Sequence, residues 1–99
     1  MSLNLHARDG DVKIPLWQTP TYVSTMICIT DRGDLATLTG KDARRALYSY
    51  CEWVKYYFRY VDETNISQKE LKIQREIIDE HIISIKEHFA SKKLVVWCQ

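Results

Sequence analysis

The spacing of apolar positions along the chain changes near residue 40. Before that point, segments rich in Thr, Val and Ile are separated by turn residues. Val12 to Trp17 and Thr21 to Thr30 are read as strands joined around Thr19-Pro20. In the second, Tyr22, Ser24, Met26, Cys28 and Thr30 share one face, and Thr21, Val23, Thr25, Ile27 and Ile29 share the other. Neither face is cleanly polar, as expected of a strand covered on both sides. Pro15 has no N–H to give to a ladder, which places the first strand at a sheet edge. Asp31-Arg32-Gly33-Asp34 reads as a turn, and Leu35 to Leu38 as a short third strand.

After residue 40 the pattern becomes helical. A first helix is expected over residues 39–61, with Thr39 as N-cap and Asp42 three positions on. Ala43, Leu47, Tyr50, Val54, Tyr57 and Val61 follow a 4-3-4-3-4 spacing on one stripe. Trp53, Tyr56 and Tyr60 widen the apolar arc beyond what one packed neighbour requires. A second helix is expected over residues 67–90, opened by the capping box Ser67-Gln68-Lys69-Glu70 and carrying Leu71, Ile78, Ile82, Ile85 and Phe89 on a narrow stripe. The short link between the helices points to an antiparallel hairpin. Residues 94–98 read as a last strand. The chain is therefore expected to be one domain over residues 1–99: a flexible lead-in at 1–10, a β-rich part at 12–38, two helices and the final strand. The fold class is α+β, with a small antiparallel sheet of N-terminal strands plus the C-terminal strand packed on an antiparallel two-helix hairpin.

Composition narrows this picture. Apolar residues make up 45% and charged residues 27%, which excludes a disordered chain. Fourteen Lys and Arg against thirteen Asp and Glu leave +1, so overall charge selects neither nucleic acid nor a membrane as partner. No apolar run approaches the roughly 18 residues of a membrane span. Residues 1–10 carry no signal-like apolar stretch, and Cys28, Cys51 and Cys98 are odd in number and never in a CxxC pair. Together these point to reduced thiols and a cytoplasmic location.

Catalytic and metal chemistry find little support. His81 and His88 are seven positions apart, about 10.5 Å along a helix axis, too far for both to hold one ion. No HExxH, GxSxG, P-loop or GxGxxG sequence occurs. The neighbouring carboxylates Asp31/Asp34 and Asp62/Glu63 lie in turn sequences, where solvated caps are the rule. No cofactor and no enzymatic activity are expected. An enzyme would instead need a cleft joining His6, His81 or His88 to a distant carboxylate.

Binding chemistry is better represented. Six Tyr and three Trp are many for 99 residues, and the first helix holds most of them. Trp53, Tyr56 and Tyr60, with Arg45 near them, form an edge beside the core stripe built from residue types enriched in interface hot spots. The expected function is non-enzymatic protein binding at this edge, by another protein or by a second copy in a homodimer. The alternative is a nucleic-acid-binding module using Arg44, Arg45, Lys55 and Arg59, with phosphates on the cations and bases on nearby rings.

Two segments, Leu16-Trp17-Gln18-Thr19-Pro20-Thr21-Tyr22-Val23 and Tyr50-Cys51-Glu52-Trp53-Val54-Lys55, resemble small uncharacterised bacteriophage or prophage proteins. The resemblance covers two short segments and transfers no functional residue. It implies expression in a bacterial cytoplasm. It also favours an adaptor or inhibitor directed at a host enzyme, such as a nuclease of recombination or defence.

Overall fold

A computed structural model describes residues 3–62 and 67–99, with side chains for all of these except 60–62. Seven elements follow one another: β1 (Leu5–Asp9), β2 (Val12–Ile14), α1 (Thr21–Cys28), β3 (Leu38–Thr39), α2 (Gly40–Asp62), α3 (Gln68–Lys86) and β4 (Leu94–Cys98). The four strands form one antiparallel sheet in the order β2-β1-β4-β3, so the N-terminal strand and the C-terminal strand make its centre. The class is α+β, as expected. β2, the strand followed by Pro15, is an edge.

Alternation along the central strands divides the sheet into two unlike faces. Leu5, Ala7, Ile14, Leu94 and Val96 point inward and are almost fully buried. They share one core with Cys28 of α1, with Ala43, Ala46, Leu47, Tyr50, Cys51 and Val54 of α2, and with Ile78, Ile82 and Ile85 of α3. All three helices therefore lie against the same face. The other face, carrying His6, Arg8, Lys13, Val95 and Trp97, has no element over it among the described residues.

Two expectations need correction. Residues 5–9, placed by the sequence in a flexible lead-in, are β1, joined to β2 by the two-residue turn Gly10-Asp11, where Gly10 has φ +60°. A hairpin turn of this kind requires left-handed backbone, which glycine adopts without steric cost. The segment from Thr21, read as a strand to Thr30, is helix α1. Its first bonds run from the N–H groups of Val23 and Ser24 to the carbonyl of Pro20, at 2.9 and 3.1 Å. Val23, Ser24 and Cys28 are buried, with Ile27 packed against the core, whereas Tyr22 and Met26 face out. Helical spacing thus buries the residues that strand spacing divided between two faces, and tertiary packing overrides the β preference of Thr21, Val23, Thr25 and Ile27. Thr39 ends β3 and immediately precedes α2, which opens at Gly40 with φ +55°.

The expected two-helix hairpin is not clearly formed. The inward residues of α2 face α1, β3 and β4 as well as α3, so the helix has no single partner. α3 begins at the expected cap, where the Ser67 hydroxyl accepts from the Glu70 N–H at 3.4 Å, and ends at Lys86. Residues 87–90, expected to be helical, form turns, with bonds from His88 N–H to Ile85 O and from Phe89 N–H to Lys86 O. No helix among the described residues is long and apolar enough to cross a membrane.

Tyr50 has no exposed surface, and its hydroxyl accepts the Trp17 N–H at 2.7 Å. Replacing Tyr50 by Phe leaves that part-buried donor without its partner and should lower stability by about 1 kcal/mol. Urea denaturation of the two proteins measures this difference directly; equal midpoints and slopes would contradict the assigned role.

Candidate functional site

Tyr50 also determines what lies around it. The same hydroxyl is 3.3 Å from His81 Nε2, so one phenol joins the segment before α1 to α2 and α3. The Trp17 ring lies over the His81 ring with centroids 4.2 Å apart, and it meets Phe58 at 5.0 Å. Burial pushes the His81 pKa down and the Tyr50 pKa up. A neutral imidazole can accept the phenol proton at Nε2, and the phenol oxygen can accept from Trp17 N–H. This arrangement positions rings and has no exposed nucleophile.

Beside it opens a groove of about 450 Å³, lined by Trp17, Gln18, Thr19, Pro20, Trp53, Tyr57 and Phe58. Trp53 and Tyr57, one helical turn apart on α2, are stacked at 5.3 Å with their planes 20° apart. Phe58 meets Tyr57 edge-on at 5.4 Å. Trp53 is half-buried and Tyr57 is 46% exposed. The opposite wall is Pro20 and the residues before it, held by a hydrogen bond between the buried Thr19 and Ser24 hydroxyls. The result is an aromatic trough of the size of a small-ligand or short-peptide site.

The residues expected to form one protein-binding edge do not all meet. Trp53 lines the groove; Tyr56 lies on the exposed side of α2, at 70% exposure, and does not line it. The side chain of Tyr60 lies outside the described residues. Arg45 is about 12 Å from Trp53 along the helix axis. It instead lines a separate groove of about 650 Å³ with Met26, Ile29, Asp31, Asp42 and Ser49. The expected nucleic-acid set is divided in the same way. Arg44 and Arg45 are on the first turns of α2, whereas Lys55 and Arg59 line a cleft of about 350 Å³ with Arg75 and Asp79 of α3. Lys55 is also 3.8 Å from Glu52.

Sequence reasoning missed Trp17, Pro20, Tyr57 and Phe58 as groove residues. The sequence pattern puts Tyr57 on the core stripe and Trp17 at the end of a strand. The i, i+4 spacing of Trp53 and Tyr57 is the local signal that was available.

A carboxylate and a histidine from distant positions do come together. Asp9 Oδ2 is 2.6 Å from His88 Nδ1, and Ser91 donates its hydroxyl to Asp9 Oδ1. These bonds hold the Asp9 pKa below the usual carboxylate value. The carboxylate sits between the other two groups, so the serine is bonded to the acid and not to the imidazole that would have to deprotonate it. Ser91 Oγ also accepts the Lys93 N–H at 3.2 Å. The three residues fasten the turns after α3 to the end of β1. No group of three or more His, Cys, Asp or Glu side chains that could hold a metal ion occurs among the described residues.

The uncovered sheet face is chemically distinct. The His6 and Trp97 rings stack across β1 and β4 at 5.4 Å, and the Arg8 guanidinium lies 5.7 Å from the Trp97 ring centroid. Lys13 is opposite Arg8 on β2. Comparison of the chain with known protein families, with curated proteins and with solved structures finds no match.

The buried His81 gives stability a pH dependence of defined sign. Its folded pKa lies below the usual 6.5, so the unfolded chain takes up this proton at higher pH than the folded one. The contribution of His81 to stability should be constant above 6.5 and fall as pH drops from 6.5 toward the folded pKa. Asp9 acts in a lower window, below its usual 3.8. Melting temperatures of wild type and His81→Phe between those two values test this. The variant should lose most of the slope, and an unchanged slope would assign the dependence to another group.

Proposed function

We propose that this chain is a non-enzymatic protein-binding factor whose binding site is the trough of Trp17, Pro20, Trp53, Tyr57 and Phe58. The observation that carries the reading is the stacked, half-exposed Trp53–Tyr57 pair facing Pro20 and Trp17 across a groove of about 450 Å³. Rigid aromatic rings give large contact area with few torsions to immobilise, which is why they dominate binding hot spots. Here their geometry is already set by Tyr50 and by the Thr19–Ser24 bond, so little ordering is left for the partner to supply. The edge named from the helix sequence thus contributes Trp53, with Tyr57 in the place assigned to Tyr56 and Tyr60.

Both segments that resemble small phage proteins contribute to this trough, the first through Trp17 and Pro20 and the second through Trp53. The resemblance favours a bacterial host enzyme as partner, such as a nuclease of recombination or defence, with this chain as adaptor or inhibitor. A partner captured by the wild-type chain should be held about 30-fold more weakly by Tyr57→Ala, the loss expected of a hot-spot ring. Tyr48→Ala, an exposed tyrosine on the same helix, should bind as wild type. Equal loss in both variants, or in neither, would remove the trough as the site. Melting curves establish that both variants are folded.

A second reading, binding of single-stranded nucleic acid, is favoured by the open sheet face. His6 and Arg8 lie against Trp97 there, Lys13 follows on the next strand beyond Arg8, and no carboxylate points to that side from the described strands. Cations beside a stacking ring suit a phosphate backbone and its bases better than do the divided cations of α2. Fluorescence anisotropy with a labelled single-stranded oligonucleotide should then show binding that weakens with salt and is lost in Arg8→Ala/Lys13→Ala. Absence of binding at low salt would eliminate this reading.

A further inference from the structure

Cys28 and Cys98 are 70 positions apart and meet where the last residue of α1 crosses the inner side of β4, with their sulfurs 2.8 Å apart. The Cys98 sulfur is also 3.1 Å from the Ser24 carbonyl oxygen, so it sits against the α1 backbone. Both are free thiols. Cys28 has no exposed surface, whereas Cys98 is partly open to solvent. We propose that Cys28 and Cys98 are a site of reversible disulfide modification, an oxidisable dithiol that clamps α1 onto the centre of the sheet. A disulfide bond is about 2.05 Å long, so closing it from the observed separation asks for about 0.8 Å of movement between side chains already facing each other.

The step balances with a disulfide of the glutathione class as oxidant. The Cys98 thiolate, the accessible one, attacks the oxidant; a mixed disulfide forms and one glutathione thiolate leaves. The Cys28 thiolate then attacks the Cys98 sulfur, the second glutathione leaves, and the protein disulfide is formed. Two protein thiols are oxidised, one glutathione disulfide is reduced to two thiols, and each protein thiol proton passes to a glutathione. Burial raises the pKa of both cysteines above the usual 9.0. The thiolate is therefore scarce near neutral pH, and oxidation should accelerate as pH rises from about 7 to 9.

The clamp has a consequence for the binding grooves that does not depend on what either one holds. α1 follows directly on Pro20, in the wall of the aromatic trough, and carries Met26 and Ile27, in the wall of the groove beside Arg45. Tying its last residue to β4 fixes both walls to the sheet.

The test uses the reduced 99-residue chain incubated with oxidised glutathione. The intact mass should fall by two hydrogens with no retained glutathione. A digest run without reductant should join the Cys28 and Cys98 peptides, and dithiothreitol should reverse the change. The oxidised protein should melt several degrees higher, because a cross-link across so long a loop restricts the unfolded chain. Cys51→Ser should behave as wild type, since Cys51 is buried on α2 with its thiol pushed up to about 11. Cys98→Ser should show no loss of hydrogens. A glutathione adduct that persists on Cys98, a cross-link that includes Cys51, or no reaction up to pH about 9 would each overturn the proposal.

Discussion

A phenol buried at the middle of a helix must find partners for its oxygen, and Tyr50 finds them on two other elements. Its ring fills the core of α2, and its hydroxyl receives the backbone of Trp17 while reaching the edge of His81. The irregular stretch after β2 has few ladder bonds of its own, so this contact fixes where Trp17 lies. Trp17 in turn sets the positions of Phe58 and His81 by ring packing at 5.0 and 4.2 Å. The segment between Pro15 and Pro20 becomes a wall rather than a loop, and α1 starts from a fixed point.

The aromatic trough is a by-product of the same constraint. The apolar arc of α2 is too wide for one neighbour. Its deepest residues, Leu47, Tyr50 and Val54, go to the sheet and α3, leaving Trp53 and Tyr57 half-covered beside the Trp17 wall. A helix with a narrower arc would have closed against its neighbours and left no groove. Surplus apolar surface on one element, held in place by a hydrogen bond from another, makes a concave and already ordered surface without a ligand to shape it.

Much of this was legible in the residues. The 4-3-4-3-4 spacing of Ala43, Leu47, Tyr50, Val54, Tyr57 and Val61 predicts a core helix; the first four are buried, Tyr57 is exposed, and the Val61 side chain lies outside the described residues. Ser67 predicts a helix start and serves as one. Leu94 to Cys98 reads as a strand and is one. α1 was misread because its β-branched residues alternate with period two, while the burial of Val23, Ser24 and Cys28 follows period 3.6 and is decided by contacts far away in sequence. β1 does alternate, apolar Leu5 and Ala7 with polar His6 and Arg8 ahead of the Gly10-Asp11 turn, but the run is only four residues long and its main partner, β4, lies at the far end of the sequence. Of the site, only the surplus of rings on α2 could be read. The link from Trp17 to Tyr50 spans 33 positions through a backbone N–H, and no residue spacing records such a bond.

The strand order has a consequence for how this chain comes off the ribosome. β1 has β2 on one side, but its other neighbour is β4, so Leu5 to Asp9 must wait for Leu94 to Cys98 before the centre of the sheet exists. During that interval the β1–β2 hairpin presents an open edge beside the apolar Leu5 and Ala7, a template for pairing with other nascent chains. Closure then joins segments at nearly the greatest separation the described chain allows, which slows folding relative to a fold built of local contacts. The edge of β1 that β4 covers is thus the last part of the sheet to be protected as the chain is made.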